Sequence, residues 1–208
     1  IKHIIDNANE LGIKDIDVVV GYKSINIKKK LKNRSLNFIN NKKFNSTDMV
    51  YSSILSLKNC NTDSIICYTD IIFEKKVLKK LIKDQSKNIV VPHLKSWTSV
   101  WSKRKKNIFE DAETFISNKN NQISEIGKRI NRKNIKKITG QFMGIIYVPK
   151  KKIKNFILKY KFYKKKKVQF TEFLNYLILN KTIVKTFSYK GKWYEFDDIV
   201  DLKTFKNY

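Results

Sequence analysis

The feature that most constrains this chain is the alternation of short β-branched runs with amphipathic stretches of helical spacing. Residues 15–20 (Asp-Ile-Asp-Val-Val-Val) form the clearest run, and residues 74–83 carry apolar side chains at helical spacing. Such runs indicate buried strands, and their alternation with helices is typical of an α/β protein with a largely parallel sheet. The pattern therefore predicts helices packed against both faces of a sheet.

The same pattern assigns the other elements. Strands are predicted at 15–20, 36–39, 64–68, 88–91, 141–148 and 183–187. Helices are predicted at 1–11, 24–33, 47–57, 74–83, 150–163, 170–180 and 199–206. Ser46 or Thr47 is expected to cap the third helix, because hydroxyl side chains favour that position. The segment 95–138 has no clear period and is predicted to be irregular.

Composition limits the class of protein. The 208 residues, 41% of them hydrophobic, suffice for one packed core in a single domain spanning 1–208. No apolar run approaches the roughly 18–20 residues of a membrane helix, so no membrane association is predicted. Cys60 and Cys67 are too few for a disulfide framework, and we expect them to stay reduced in a cytoplasmic protein.

The formal net charge of +27 raises the possibility of nucleic-acid binding. However, only four of the 45 basic residues are Arg, whereas proteins that read bases rely on the planar fork of Arg. The Lys residues are also spread along the chain. We therefore expect a solvated Lys-rich surface that attracts phosphorylated anions and binds nucleic acid only non-specifically.

Two acidic features stand out against this background. Asp70 follows the predicted strand 64–68, so it is expected at the carboxyl edge of the sheet, where ligands of open α/β sheets bind. Alternatively, it starts a turn or caps the next helix. The segment 193–202 holds four carboxylates, which are Glu195, Asp197, Asp198 and Asp201. They either cap the last helix or supply a metal ligand that pairs with Asp70, and spacing alone leaves both open.

A series of motifs resembles one family of enzymes. They are IIDNANELGIKDIDVVVGY at 4–22, FNSTDMVYSS at 44–53, YTDIIF at 68–73, WSKR at 101–104, EDAETF at 110–115, EIGK at 125–128, GQFMG at 140–144 and WYEFDDIVDL at 193–202. In this order they resemble the nucleotidyltransferases, above all the cytidylyltransferase domain associated with phosphoenolpyruvate mutase in phosphonate biosynthesis and the choline-phosphate cytidylyltransferases. Each motif is weak, but together they span nearly the whole chain.

The resemblance implies a fold and a reaction. The fold is a three-layer α/β/α, Rossmann-like sandwich with a mixed, mostly parallel sheet. The reaction is transfer of CMP from CTP to a small phosphate- or phosphonate-bearing acceptor, with release of pyrophosphate. Mg²⁺ is the implied cofactor, and the family's two metal-binding aspartates match Asp70 and Asp197. A phosphoenolpyruvate mutase domain is an implied fusion partner or associate.

The resemblance also assigns substrate contacts. Lys128, in EIGK, is the candidate for contacting the acceptor phosphate or phosphonate, and Arg104 is the candidate for a bidentate phosphate contact. Four further positions are expected to contact substrates, which are Asp48, Glu113, Gln141 and Glu195. Trp101, together with Trp97, is expected either to form an aromatic wall for an amino group or to pack in the core.

Two departures of the sequence from the family bear most on its function. The family's N-terminal strand and Gly-rich loop, whose backbone N–H groups hold the triphosphate, are absent from these 208 residues. The chain is thus expected to be N-terminally truncated or degenerate, with weak or no catalysis on its own. In addition, Asp48 stands where the family usually has Asn. Two alternatives remain, a sugar-1-phosphate nucleotidyltransferase and a non-catalytic basic module that binds nucleic acid.

Overall fold

The computed structural model describes residues 1–84, 86–104, 107–163 and 167–205. Its helices are α1 (Lys2–Glu10), α2 (Ser24–Leu31), α3 (Met49–Leu57), α4 (Lys76–Ile82), α5 (Trp97–Arg104), α6 (Lys150–Phe162), α7 (Phe170–Leu179) and α8 (Ile199–Phe205). Its strands are β1 (Asp17–Val20), β2 (Asn37–Asn40), β3 (Ser64–Cys67), β4 (Ile71–Phe73), β5 (Ile89–Val90), β6 (His93–Leu94), β7 (Glu113–Ser117), β8 (Ile123–Arg129), β9 (Gln141–Phe142), β10 (Ile145–Val148), β11 (Val184–Lys185), β12 (Ser188–Tyr189) and β13 (Trp193–Glu195).

The centre of the molecule is a sheet with the strand order β11–β5–β10–β3. Strand β10 runs antiparallel to both of its neighbours, whereas β11 is parallel to β5. Among the described strands, β1–β2 and β6–β12 are also parallel, and β4–β13, β6–β9 and β7–β8 are antiparallel. The predicted mixed sheet is confirmed, with fewer parallel pairings than expected because β10 reverses direction in the middle of the sheet.

The alternation of side chains along β10 defines two cores. Ile145 and Tyr147 are buried in one hydrophobic cluster, whereas Ile146 and Val148 are buried in the other. Successive side chains of a strand point to opposite faces, so the two clusters lie on opposite sides of the sheet. This arrangement confirms the predicted three-layer sandwich.

Each cluster is closed by its own helices. The first takes buried side chains from α1, α4 and α5, and we call this side the α5 face. The second takes them from α3, α6 and α7, and we call it the α7 face. On α7, Phe170, Phe173, Leu174 and Leu177 recur at the spacing of one helical face, which is why this helix buries one side in the second cluster.

Most predicted elements occur within a few residues of their expected bounds. Residue 206, the predicted end of the last helix, lies outside the described residues. The cap of α3 is neither Ser46 nor Thr47 but Asp48, whose side chain accepts a hydrogen bond from the backbone N–H of Tyr51. The predicted strand 141–148 is divided into β9 and β10 at Gly144, which has a φ of +71°.

The prediction of an irregular segment at 95–138 is wrong. This segment contains α5 and the antiparallel hairpin of β7 and β8. The hairpin buries few apolar residues, among them Phe115, Ile123 and Ile126, and its pairing shifts register along the strands. A strand with bulges and a polar outer face lacks the regular alternation that identifies strands from sequence.

Two strand edges bear on the expected loss of the family's first strand. Among the described strands, β1 pairs only with β2, and β3 pairs only with β10. No ladder between the described strands therefore connects the β1–β2 pair to the central sheet. The loss of the family's first strand stays a prediction. Of the helices in the described ranges, none combines the length and the apolar character needed to span a bilayer.

Candidate active site

The ladder between β4 and β13 joins two acidic segments that are far apart in sequence. Glu195 lies opposite Ile71, and the next backbone N–H, that of Phe196, donates to the carbonyl oxygen of Asp70 at 3.0 Å. Asp197 follows directly. The ladder therefore brings Asp70 and Asp197 to the same end of this strand pair, and a metal ion shared by them stays a prediction.

The carboxylates at this edge influence one another. The pKa of Glu195 is raised to about 7, first by burial and then by the negative charge of Asp197, with smaller contributions from Asp70 and Asp111. Arg104 opposes this rise. Charges shift a pKa in this way only at short range, so the acids form one electrostatic cluster.

Arg104, the last residue of α5, lies inside this cluster. Its side chain has no exposed surface. The Nε atom donates to Asp201 at 3.0 Å, one terminal nitrogen donates to Asp197 at 2.6 Å, and the other donates to Glu195 at 3.3 Å. Among the described residues, every hydrogen bond of this guanidinium is therefore donated to a carboxylate. It was predicted to contact phosphate, but the structure surrounds it with acids of the protein itself.

The start of α8 explains two of the four acids in 193–202. Asp198 accepts hydrogen bonds from the backbone N–H groups of Val200 and Asp201, which makes it the capping residue. Asp201 is 1% exposed and accepts from the backbone N–H of Asp197. Burial opposes its ionisation, but Arg104 and that N–H hold the pKa of Asp201 below its ordinary value. Asp201 is thus a structural carboxylate.

Trp101 and Trp97 lie in the core of the α5 face, each about 5% exposed or less. The ring of Trp101 stacks on that of Trp193 with 5.6 Å between centroids, and the Arg104 guanidinium lies 5.2 Å from its centroid. Its indole N–H donates to Asp111 at 3.0 Å. The structure thus favours core packing over an aromatic wall for a substrate.

The hairpin positions Glu113 and Lys128 differently. Both polar atoms of the Gln141 side chain contact backbone groups of Glu113, so Gln141, which is 3% exposed, supports Glu113 from within. Burial raises the pKa of Glu113. Lys128 is exposed and forms an ion pair with Glu125 at 2.5 Å. Gln141 was expected to contact a substrate, whereas the structure shows its side chain bonded to the backbone of Glu113.

Asp48 also has contacts that are structural. One carboxylate oxygen caps α3, and the other accepts from the Tyr160 hydroxyl at 2.9 Å and from the backbone N–H of Val168 at 3.1 Å. The side chain therefore connects α3 to α6 and to the segment before α7. These contacts account for an acid at this position without a nucleotide.

The sequence patterns do not single out Tyr68, which lies close enough to Glu195, Glu113 and Asp70 to be affected by their charges. Its backbone N–H donates to Gly144, and its hydroxyl donates to the sulfur of Met49 at 2.8 Å. Burial raises its pKa, and the charges of Glu195, Glu113 and Asp70 add to that rise. A Cβ on Gly144 would lie 3.0 Å from the Tyr68 ring, so glycine makes room for it. The position of Tyr68 two residues before Asp70 in YTDIIF is the only sequence clue to it.

Within the described ranges, no group of three or more His, Cys, Asp or Glu side chains is arranged to hold a metal ion. The prediction requires only two acids, because Mg²⁺ commonly takes one or two protein carboxylates and completes its shell with water and substrate phosphates. The side chain of Asp197 is 42% exposed, so its carboxylate is accessible.

Comparisons with known proteins place the chain in a family. No protein-family model matches it. A CTP:phosphoglutamine cytidylyltransferase of Campylobacter jejuni is 30% identical over 219 residues, which cover 98% of this chain and 85% of that protein. Two solved structures share the fold. An inositol-1-phosphate CTP transferase of T. maritima has a TM-score of 0.76 and 21% identity, over 96% of this chain and 77% of the other. A CTP:phosphocholine cytidylyltransferase of Streptococcus pneumoniae has a TM-score of 0.65 and 15% identity, over 99% and 83%. The chain therefore belongs to the cytidylyltransferase family of nucleotidyltransferases.

Proposed function

We propose that this protein is a Mg²⁺-dependent cytidylyltransferase that transfers CMP from CTP to a small acceptor carrying a phosphate or phosphonate group. An acceptor oxygen forms a bond to the α-phosphorus of CTP, the bond between the α-phosphorus and the bridging oxygen breaks, and pyrophosphate leaves. The β4–β13 ladder carries this proposal, because it sets Asp70 beside the acidic end of β13 in a member of this family.

The donors at this edge suit Mg²⁺. Asp70 and Asp197 would hold the ion, because hard cations prefer carboxylate oxygens. Asp111 adds negative charge 4.0 Å from Arg104, and one guanidinium cannot neutralise Asp111, Asp197 and Asp201 together. Bound there, Mg²⁺ would supply neutralisation of phosphate charge, which an anionic acceptor needs to approach an anionic nucleotide.

The hairpin is proposed to form the acceptor side. Lys128 would offset the charge of the acceptor phosphate, and its pair with Glu125 keeps its ammonium group at the hairpin. Glu113, held at its backbone by Gln141, would contact a polar or cationic part of the acceptor. Tyr68 lies near both sides of the proposed site, because the charges of Glu113 and of Asp70 both raise its pKa.

The class of acceptor follows from the relatives. Three proteins that resemble this chain are named for phosphoglutamine, inositol 1-phosphate and phosphocholine, which are all small phosphate-bearing molecules. We propose an acceptor of this size and charge. A phosphonate acceptor, with an associated phosphoenolpyruvate mutase domain, is the more specific form of the same proposal.

The test is a pyrophosphate-release assay on the full 208-residue chain. CTP, UTP, GTP and dTTP are each supplied with Mg²⁺ and with phosphocholine, inositol 1-phosphate, phosphoglutamine or aminoethylphosphonate. We expect release with CTP and one of these acceptors, at a rate below about 1 s⁻¹ because the family's Gly-rich loop is absent from this sequence. D70N should remove that release.

Other outcomes would contradict the proposal. Preference for UTP or dTTP with a sugar 1-phosphate would favour a sugar-1-phosphate nucleotidyltransferase. Steeply salt-dependent binding of generic RNA, without any effect of CTP, would favour a nucleic-acid-binding module.

A further inference from the structure

Arg104 differs from the other three arginines because its guanidinium is fully buried among carboxylates. We infer that Arg104 is a positioning residue, which holds the carboxylate of Asp197 in place for a divalent cation. This inference rests on the proposed function, because it takes Asp70 and Asp197 as the ligands. It assigns Arg104 a task different from the phosphate contact expected from sequence.

The first step is the anchoring of the guanidinium. Its Nε and one terminal nitrogen both bond Asp201, at 3.0 and 3.3 Å, and Asp201 is itself 1% exposed. The rings of Trp101 and Tyr194 lie 5.2 and 5.9 Å from the guanidinium carbon. A planar fork bonded along one edge and flanked by two rings has little freedom to turn.

The second step is the contact with Asp197. The terminal nitrogen that bonds Asp201 also bonds Asp197, at 2.6 Å, which is short even for a charge-assisted hydrogen bond. The backbone N–H of Asp197 donates to Asp201 as well. Asp201 therefore fixes Asp197 twice, directly through its backbone and indirectly through Arg104. Because 42% of the Asp197 side chain remains exposed, the carboxylate is held and still accessible.

The third step is the charge that remains. One guanidinium faces Asp197, Asp201, Glu195 and, at 4.0 Å, Asp111. The cluster therefore keeps a net negative charge and attracts a cation. A site with equal numbers of positive and negative groups would not. A Lys in place of Arg104 keeps the positive charge but has no fork, so it cannot bond Asp201, Asp197 and Glu195 in one plane.

The experiment compares R104K with R34K. Arg34 forms an ion pair with Asp6 on the surface, so R34K is a matched Arg-to-Lys change away from the cluster. Mn²⁺ binding is followed by electron paramagnetic resonance in the presence of CTP, together with the melting temperature. We expect R104K to weaken Mn²⁺ binding by about 10- to 100-fold, as changes behind metal ligands do, and R34K to leave it unchanged.

A second variant separates positioning from folding. R104M alone leaves Asp201 buried without its partner and should lower the melting temperature strongly. R104M/D201N removes both charges, so its melting temperature should recover while Mn²⁺ binding stays weak. A structural role alone predicts that binding recovers together with stability.

The outcomes distinguish the inference from the proposed function. Wild-type Mn²⁺ affinity in folded R104K or in R104M/D201N overturns the inference and leaves the proposed function intact. If D197N binds Mn²⁺ as tightly as the wild type does, the proposed metal site is wrong, and the inference fails with it.

Discussion

The two faces of the sheet are built from different material. The cluster on the α7 face is made of aliphatic and Phe side chains, such as Phe173, Leu174 and Leu177, all without exposed surface. The α5 face combines three Trp residues with the buried pair of Arg104 and Asp201. Burial of an apolar cluster contributes to stability without requiring a particular geometry of polar groups. Buried ions need hydrogen-bonded partners, so Arg104 and Asp201 hold the carboxylates around them in defined positions. In this fold, the apolar cluster that contributes most to stability and the candidate metal site therefore lie on opposite faces of the sheet.

The largest expected effect is on the chemistry. D197N should lower CMP transfer by at least about 100-fold from the wild-type rate, because the amide removes the charge of a proposed ligand. Its melting temperature should stay close to that of the wild type, since the Asp197 side chain is partly exposed. Pyrophosphate release and differential scanning fluorimetry measure the two effects. A D197N protein with wild-type turnover would show that the α5 face does not supply Asp197 as a metal ligand.

The opposite pattern is expected from F173A on the α7 face. Phe173 has no exposed surface and packs edge-on against Phe156 at 5.1 Å between centroids. Its truncation should cost about 3–5 kcal/mol of unfolding free energy, measured by urea titration. The folded fraction should bind Mn²⁺ with wild-type affinity. A loss of Mn²⁺ affinity beyond the unfolded fraction would show that the faces are coupled.

The buried imidazole of His93 should make stability depend on pH. Its ring centroid lies 4.9 Å from that of Phe115, which belongs to the cluster on the α7 face. The Thr186 hydroxyl donates to the carbonyl of Val91, so it accepts a hydrogen bond from Nδ1 of His93, which therefore carries a proton. Burial, with a smaller contribution from Lys95, lowers the pKa of His93 from 6.5 to about 4.

The sign of the resulting pH dependence follows from linkage. Between about pH 6.5 and 4 the unfolded chain binds a proton that the folded chain does not, so stability falls as the pH falls through this window. The loss is about 3 kcal/mol at its full extent. Urea midpoints from pH 7 to pH 4 should decline more steeply for the wild type than for H93Q. Parallel declines would mean that His93 titrates normally in the fold.

The smallest expected effect distinguishes capping from nucleotide contact at Asp48. D48A removes the cap of α3 and the partner of Tyr160, which should cost about 2 kcal/mol. D48N keeps an oxygen that caps but leaves the backbone N–H of Val168 without its acceptor, so it should cost less than D48A. Neither variant should change CTP affinity, measured by calorimetry. Tighter CTP binding by D48N would instead support the contact expected from sequence.

The sequence predicted the layers well because they depend on local periodicity. The apolar spacing on α7 and the run before Asp70 need no distant partner to be recognised. The hairpin of β7 and β8 was missed, because bulges interrupt its alternation and its outer face is polar. Strand β13 was missed for a related reason, since its three residues overlap an acidic cluster that could equally start a helix.

The candidate site was only partly predictable. The proximity of Asp70 and Asp197 was expected from motif resemblance, and the β4–β13 ladder supplies its physical cause. The surroundings of Arg104 were not predictable, because its partners Glu195, Asp197 and Asp201 lie more than 90 positions away. No local pattern encodes whether a guanidinium will meet a substrate phosphate or a carboxylate of its own chain.

Binding of CTP together with a Mg²⁺ ion held by Asp70 and Asp197 can be tested by the melting temperature of the protein. It is measured with CTP alone, with Mg²⁺ alone and with both. A ligand that binds only the folded state raises this temperature, and the rise grows with the logarithm of the ligand concentration divided by its Kd. We expect CTP with Mg²⁺ to raise it more than CTP alone and more than GTP, UTP or dTTP with Mg²⁺. In D70N and in D197N the Mg²⁺-dependent part should vanish. If the Mg²⁺-dependent rise in both variants is as large as in the wild type, the two acids do not share a cation.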